Sequence, residues 1–355
     1  MAEPASIASA RRLPWHEAAV DQLRSAWAAQ RLPHALLVQG ADGLGKRELA
    51  AWLATAVLCE RSHPQLQVCT ECASCKLIAA GSHPDLMWIR PPEDKQQISV
   101  DQIRDLSAAL THTSFRQGYK VAVVEPAHQM TVNAANGLLK TLEEPTPRTL
   151  LILITSRPSA LPATVRSRCQ KMAIVTPNAA EALSWLQSSS GASVTPQLLE
   201  FAGRAPLRAL ELADGRFDQL DNDMQRAMSR LLSGSADVTQ VAAEWDTKDN
   251  KPILPERLTW LDLWLNSAAR AAIGGSADLV TFPARSAHLP SLPVTLNISA
   301  LYALVDQVRA LKAQLARTAL QRELAIETLL IALLQTLSPA SAHGNGQRVI
   351  AQTRQ

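Results

Sequence analysis

The sequence predicts an α/β region followed by a region built of helices alone. Short apolar runs alternate with amphipathic helical patterns as far as Cys169. Two of the runs, at 120–124 and 150–154, are almost continuously apolar, as in strands buried on both faces of a parallel sheet. Beyond Cys169 the strand signals fade and helical periodicity dominates. We therefore expect a doubly wound α/β domain and then an all-α part.

The α/β region is predicted element by element from apolar runs and from the residues that end them. The first strand ends at Gly40, the second is closed by Pro91 and Pro92, and the last predicted helix ends at Pro145. Strands are predicted at 35–39, 86–90, 120–124 and 150–154, and helices after Gly45, at 98–110 and at 131–143.

The remainder of the chain predicts helices separated by Gly- and Pro-containing breaks. Short helices are expected between 178 and 213. A long apolar stripe runs from Leu301 to Leu315, and a further helix is supported between Leu324 and Leu333. Residues 275–297 predict a long connection between helices, and the tail after Leu337 is predicted to be disordered.

Composition excludes several classes of protein. Lys and Arg number 35 and Asp and Glu 32, so the net charge of +3 is too small for nucleic-acid binding by bulk charge. Aromatic residues make up 4%, too few for single-strand stacking platforms. We find no 18-residue apolar run and no secretory signal, so we expect no membrane partner. Four of the five cysteines cluster, which favours a reducing cytoplasm and a metal.

A glycine-rich segment lies between the first strand and the first predicted helix. It reads Gly40-Ala-Asp-Gly43-Leu-Gly45-Lys46-Arg47, close to the P-loop pattern. In that pattern backbone N–H groups wrap phosphate oxygens at a helix N-terminus and the lysine reaches the outer phosphates. Gly40, Gly43, Gly45 and Lys46 are therefore candidate ATP- or ADP-binding residues. Arg47 stands where a hydroxyl should hold Mg²⁺, so nucleotide binding is left open.

The end of the third predicted strand also departs from an ATPase. A working P-loop ATPase needs an Asp for the metal, and many families add a Glu that activates water. Here the strand is followed by Glu125 and Pro126. Glu125 is a poor substitute or an ordinary loop carboxylate, and Pro126 has no carboxylate. We expect a nucleotide-binding fold with impaired catalysis.

Four cysteines have the spacing of a metal site: Cys59, Cys69, Cys72 and Cys75. Closely spaced thiolates bind Zn²⁺ tetrahedrally, and four of them leave no open position, so one structural zinc is expected. An iron–sulfur cluster is the alternative, although the fourth Cys and the Pro of the ferredoxin pattern are absent.

Two further segments attract attention. Leu138-Leu-Lys-Thr-Leu-Glu143-Glu144-Pro145 closes a predicted helix and by itself is amphipathic helix with a Pro stop. Ser167-Arg168-Cys169 follows the last predicted strand, in a loop placed at the carboxyl side of the sheet. An Arg there can stabilise phosphate charge in its own site or in a neighbour's, or it is an ordinary surface residue.

In this order the P-loop, the four-Cys insert, the Leu-Glu-Glu-Pro segment and the Ser-Arg-Cys segment resemble the clamp-loader subunits of bacterial DNA polymerase III, members of the AAA+ family. The resemblance covers about residues 13–215 by motif. The ATPase subunits gamma and tau keep Lys-Thr/Ser and Asp-Glu, whereas this chain has Lys46-Arg47 and Glu125-Pro126. It is therefore similar to the family member that lacks ATPase activity, although Lys46 and the three glycines are kept.

The resemblance implies a domain plan and a role. It implies an AAA+ domain at 1–172 with the zinc insert at about 59–75, a helical lid at 173–216, a helical collar at 217–338 and a tail at 339–355. It implies a five-subunit ring with gamma or tau and delta, which places a sliding clamp on primed DNA using ATP. In that ring Arg168 would act as an arginine finger on a neighbour's ATP.

Two rival functions are kept beside this one. The first is an ATPase-active clamp-loader subunit, against which Arg47 and Pro126 argue. The second is a zinc-dependent nucleic-acid-binding protein on a P-loop fold. The cysteine segment carries few basic residues, Arg61 and Lys76, which argues against the second.

Overall fold

The computed structural model describes residues 12–61, 66–190, 194–247, 253–273, 297–315 and 322–337. The chain divides into two compact units. The first comprises residues up to 186 together with 202–209, and the second comprises 187–201 and the residues from 210 onward.

The first unit is built on a parallel sheet of five strands: β1 (Ala35–Gln39), β2 (Leu86–Ile89), β3 (Lys120–Val124), β4 (Thr149–Thr155) and β5 (Gln170–Ala173). Their order is β2-β3-β4-β1-β5, and each neighbouring pair is parallel. The central strands β3 and β4 are buried along their whole length, as their apolar sequences predict.

Among the described residues, eight α-helices begin in the first unit: α1 (Glu17–Ala28), α2 (Lys46–Leu58), α3 (Ala73–Ala79), α4 (Val100–Thr111), α5 (Val132–Glu143), α6 (Ala163–Arg166), α7 (Ala179–Ser190) and α9 (Pro206–Leu212). Helix α8 (Pro196–Phe201) belongs to the second unit. Alternate strand residues face opposite sides of the sheet. Leu36 and Val38 pack in one core with α1 and α2, and Leu37 packs in the other with α4 and α5. The doubly wound α/β prediction is confirmed.

One strand was missed. The prediction that strands end before Cys169 is wrong, because β5 follows this residue and pairs with β1 at the edge of the sheet. Only Met172 of its four residues is buried, so the strand lacks the apolar run by which the central strands are recognised.

The second unit contains the remaining helices: α10 (Arg216–Leu232), α11 (Val238–Asp246), α12 (Leu254–Ala272), α13 (Ile298–Leu315) and α14 (Arg322–Leu337). Helix α13 packs against α12 and α14, and α11 packs against α14. Much of the predicted stripe on α13 is buried, from Leu301 to Leu311, so it belongs to the core of this unit. The structure confirms an all-helical region among the residues described after β5.

Some predictions lie outside the described residues. The connection expected at 275–297 is described only at its last residue, and the predicted tail at 339–355 is not described. The division into AAA+, lid and collar domains at 172, 216 and 338 stays a prediction. Within the described part of the chain, no helix is both long and apolar enough to cross a membrane.

Candidate functional site

The glycine-rich loop connects β1 to α2 and is tightly packed by the segments around it. Gly43 and Gly45 have φ angles of +77° and +76°, in the left-handed region that glycine adopts readily. A Cβ atom at Gly43 would lie 2.5 Å from the Cβ of Arg208, and one at Gly45 would lie 2.3 Å from Leu13 Cδ1. Glycine is therefore required at both positions by conformation and by space.

Lys46, the first residue of α2, is directed back onto its own loop. Its Nζ donates a hydrogen bond to the Ala41 carbonyl oxygen at 2.6 Å and lies 3.6 Å from Asp42 Oδ1. The side chain is only 7% exposed, and this burial lowers the pKa of Lys46 although Asp42 opposes the shift. The lysine thus has its partners within the loop.

The segment before α1 holds the same loop from outside. Trp15 Nε1 donates to the Leu44 carbonyl oxygen at 2.9 Å, and His16 Nε2 lies 2.8 Å from that oxygen. Burial lowers the pKa of His16, which favours the neutral ring with its hydrogen on Nε2. The Leu207 N–H donates to the Gly43 carbonyl oxygen at 3.1 Å. These contacts hold the loop in one conformation.

Glu125, the candidate metal carboxylate, is bound by cationic side chains. Arg90 Nη2 lies 2.7 Å from Glu125 Oε2, Arg47 Nε lies 3.7 Å from it, and Trp88 Nε1 donates to it at 3.0 Å. Both guanidinium groups also stack on the Trp88 ring, with centroid distances of 5.9 Å for Arg47 and 5.3 Å for Arg90. We call Arg47, Trp88, Arg90 and Glu125 the arginine–glutamate cluster.

Arg90 and Trp88 were not singled out from the sequence. The signal was their position at the end of β2, which pairs in parallel with β3 and so ends beside Glu125. Residues at the carboxyl ends of neighbouring parallel strands meet at one edge of a sheet. A strand order was needed to use that signal, and the sequence does not supply one.

The four candidate metal ligands are brought together. The sulfur atoms of Cys59, Cys69, Cys72 and Cys75 all lie within 4.8 Å of one another. The Cys59–Cys72 and Cys69–Cys75 sulfur distances are both 3.9 Å. Four sulfurs at about 2.3 Å from one tetrahedral Zn²⁺ lie about 3.8 Å apart, so the cluster has the dimensions of such a site.

Backbone groups support these sulfurs. The N–H of Cys72 points to Cys69 Sγ at 3.4 Å, and the N–H of Cys75 points to Cys72 Sγ at 3.4 Å, where Cys72 caps α3. The Cys72 N–H lowers the pKa of Cys69 to about 6, whereas burial raises the pKa values of Cys59 and Cys75. A buried cluster of thiols suits a cation, because the cation stabilises the thiolates that burial penalises.

Arg168 lies between α6 and β5, at the amino-terminal end of the strands. The glycine-rich loop lies at their carboxyl-terminal end. The prediction that Arg168 lies at the carboxyl side of the sheet is wrong, because the missed strand β5 starts directly after it and runs parallel to β1. The length of β1 separates Arg168 from the glycine-rich loop. At about 3.3 Å per residue, this strand is longer than the reach of an arginine side chain. Arg168 therefore cannot serve this chain's own loop.

The guanidinium of Arg168 has two partners. Its Nη2 lies 2.5 Å from Glu143 Oε1, and its Nη1 donates to the Thr164 carbonyl oxygen at 3.0 Å. The Arg168 side chain is 36% exposed and that of Glu143 is 49% exposed. The neighbouring Cys169 is buried in the core, so the backbone at Arg168 is anchored from inside.

Two models of DNA polymerase III families match this chain. The family model described as "DNA polymerase III, delta subunit" matches residues 15–178, and one described as "DNA polymerase III, delta subunit, C terminal" matches residues 216–335. Among solved structures, a gamma subunit-related protein from Thermotoga maritima is 16% identical, with 90% of this chain and 99% of that one covered and a TM-score of 0.41.

Curated relatives extend over nearly the whole chain. The DNA polymerase III subunit delta' of Pseudomonas aeruginosa is 38% identical over 71% of this chain and 75% of its own length. The delta' subunit of Escherichia coli K12 is 32% identical over 93% of this chain and 97% of its own. The subunit tau of Bacillus subtilis is 38% identical, but over only 42% of this chain and 26% of its own. The altered P-loop and the ion-paired Glu125 agree with these matches. The chain belongs to the family of DNA polymerase III delta' subunits.

Proposed function

We propose that this chain is the non-hydrolysing subunit of a DNA polymerase III clamp loader, and that it assists ATP-dependent loading of the sliding clamp onto primed DNA. The arginine–glutamate cluster carries the proposal. Glu125, the candidate metal carboxylate, is already paired with two guanidinium groups, one of them from the residue that replaces the Mg²⁺-binding hydroxyl.

The cluster is unfavourable for a metal-dependent ATPase. The positive charges of Arg47 and Arg90 outnumber the single negative charge of Glu125. The cluster therefore carries a net positive charge, which repels Mg²⁺, and the Glu125 carboxylate is already neutralised. Pro126 supplies no base for the attacking water. Lys46 would also have to leave the Ala41 carbonyl to reach a phosphate. The ATPase-active alternative is therefore not supported.

Arg168 has the position of a residue that acts on another subunit. It is 36% exposed, and it lies at the amino-terminal end of the strands, away from its own glycine-rich loop. A planar guanidinium matches the oxygens of a γ-phosphoryl group with two hydrogen bonds. We assign it as an arginine finger that stabilises the transition state at the ATP of a neighbouring gamma or tau subunit.

The cysteine cluster is proposed to hold one structural zinc ion. The four sulfurs have the spacing of a closed tetrahedral site and offer no position for substrate. The zinc would keep residues 59–75 in place beside α2 and α3. It supplies local folding energy and takes no part in ATP chemistry.

The partners follow from the same proposal. We expect the chain to assemble with gamma or tau and delta in a five-subunit ring in the cytoplasm, and to reach the sliding clamp and primer-template DNA through that ring. The relatives named delta' and tau support membership of the complex. The AAA+, lid and collar domains would divide these tasks, with the collar joining the subunits.

The isolated chain is expected to show no ATP turnover above background, because the Mg²⁺ position and the base are both altered. Turnover is measured with the purified chain, with Lys46→Ala as its matched variant and with a purified gamma or tau subunit as the active control. Both forms of this chain should give the same background rate. ATP hydrolysis that disappears in Lys46→Ala would overturn the proposal in favour of an active ATPase.

Assembly is measured in parallel by size-exclusion chromatography. The chain should co-elute with gamma or tau and delta, and its addition should raise their ATP hydrolysis in the presence of clamp and primed DNA. Failure to co-elute, together with salt-dependent DNA binding by the chain alone, would favour the zinc-dependent nucleic-acid-binding alternative.

A further inference from the structure

The Leu-Glu-Glu-Pro and Ser-Arg-Cys segments meet in space through one ion pair. Glu143 is the last residue of α5, and its Oε1 lies 2.5 Å from Arg168 Nη2. On the other terminal nitrogen, Nη1 donates to the Thr164 carbonyl oxygen of α6 at 3.0 Å. Both terminal nitrogens of the guanidinium are therefore held, one by a side chain and one by the backbone.

The two contacts leave the guanidinium able to bind a further group. Arginine has five N–H donors in a fixed planar fork. Among the described residues, the Thr164 carbonyl oxygen accepts from Nη1 and Glu143 forms an ion pair at Nη2, and these two contacts do not use all five donors. The contact with Glu143 joins its Oε1 to Nη2, at one side of the fork.

Glu143 is itself fixed by its position in the fold. The Leu142 carbonyl lies 3.1 Å from His34 Nε2, next to the start of β1, and Leu142 is buried in the core. The end of α5 is thus anchored to the sheet on the residue before Glu143. Because the end of α5 is anchored, the Glu143 carboxylate determines the position of the Arg168 guanidinium.

We propose that Glu143 is a positioning residue for Arg168: it holds the guanidinium in the orientation that meets a neighbour's γ-phosphoryl group. The proposal rests on the proposed function of Arg168 in trans. An exposed arginine samples many rotamers, and the ion pair together with the Thr164 hydrogen bond restricts that freedom before the subunits meet. In hydrolysis water attacks the γ-phosphorus and the bond to the β–γ bridging oxygen breaks, and the charge that accumulates there requires an accurately placed cation.

The test uses the reconstituted complex with wild-type gamma or tau, delta, clamp and primed DNA. Glu143→Ala is expected to lower the kcat for stimulated ATP hydrolysis at this interface by about ten- to a hundredfold, the range that a displaced catalytic group costs, with the KM for ATP unchanged. Glu143→Gln keeps the side-chain volume and an acceptor oxygen, so it should lie between wild type and Glu143→Ala. Glu144→Ala, at the neighbouring exposed carboxylate, is the matched control and should behave as wild type.

A double-mutant cycle separates positioning from a general structural effect. In an Arg168→Ala background, Glu143→Ala should lower kcat no further, because the group that it positions is absent. Additive losses, or a kcat unchanged in both Glu143 variants while Arg168→Ala is impaired, would overturn the positioning role alone. An Arg168→Ala complex with normal kcat would instead overturn the finger on which the role rests. If Glu143→Ala prevents assembly, Glu143→Gln decides the outcome by the same two measurements.

Discussion

Arg168→Ala should lower ATP hydrolysis at the interface that it serves more than any other substitution in this chain. Arginine fingers contribute about 10³–10⁵ in rate where they complete a site, because they stabilise charge that develops only in the transition state. Turnover by the whole complex should fall less, since the substitution alters one interface of the proposed ring. Clamp loading onto primed DNA should fall with it.

The fold and the assembly should survive this change. Arg168 is 36% exposed and its ion pair with Glu143 lies at the surface, where such pairs contribute little to stability. Size-exclusion chromatography checks assembly, and steady-state hydrolysis with clamp and DNA checks activity. Arg168→Lys should retain only part of the rate, because a point charge lacks the planar fork.

Arg166→Ala is the matched control for Arg168. It removes an arginine two residues away, at the end of α6, outside the Ser-Arg-Cys segment. We expect near-normal clamp loading from this variant. Equal loss in both variants would show that the segment acts through its overall charge, and normal loading in both would leave Arg168 an ordinary surface arginine.

Cys72→Ser should abolish metal binding and unfold the cysteine insert locally. The sulfur of Cys72 accepts the Cys75 N–H, and this hydrogen bond caps α3. A structural zinc contributes about 10–16 kcal/mol to the folding of isolated zinc-finger peptides, so its loss removes most of what holds a short insert. Elemental analysis of the wild-type chain should give about one zinc per chain by the four-ligand logic, and Cys72→Ser should give none.

The fifth cysteine provides the control. Cys169 is buried in the core beside α5, apart from the cluster, so Cys169→Ala should retain a full complement of zinc. Limited proteolysis should cut Cys72→Ser within residues 59–75 while the rest of the first unit resists. Iron in place of zinc would establish the iron–sulfur alternative, and the absence of any metal after purification without chelators would refute the site.

Local sequence patterns predicted the central strands and the cysteine cluster well. The apolar runs of β3 and β4 report burial on both faces, which is a property of the strand itself. The spacing of Cys69, Cys72 and Cys75 allows one turn to present three sulfurs, so the cluster was recognisable before any contact was known. Strand β5 was not predicted, because an edge strand buries too little of its surface to require a run of apolar residues.

The sequence by itself determined that this chain has a P-loop fold with altered catalytic positions, since Arg47 and Pro126 are changes of chemistry at fixed places in a motif. Only the tertiary structure decided which side chains surround Glu125 and where Arg168 lies. The fold pairs Glu125 with Arg90 across neighbouring strands. It also places Arg168 at the amino-terminal end of the strands, in contact with Glu143. Local patterns record which face of an element is buried, whereas contacts between distant segments depend on strand order and on the path of the chain between them.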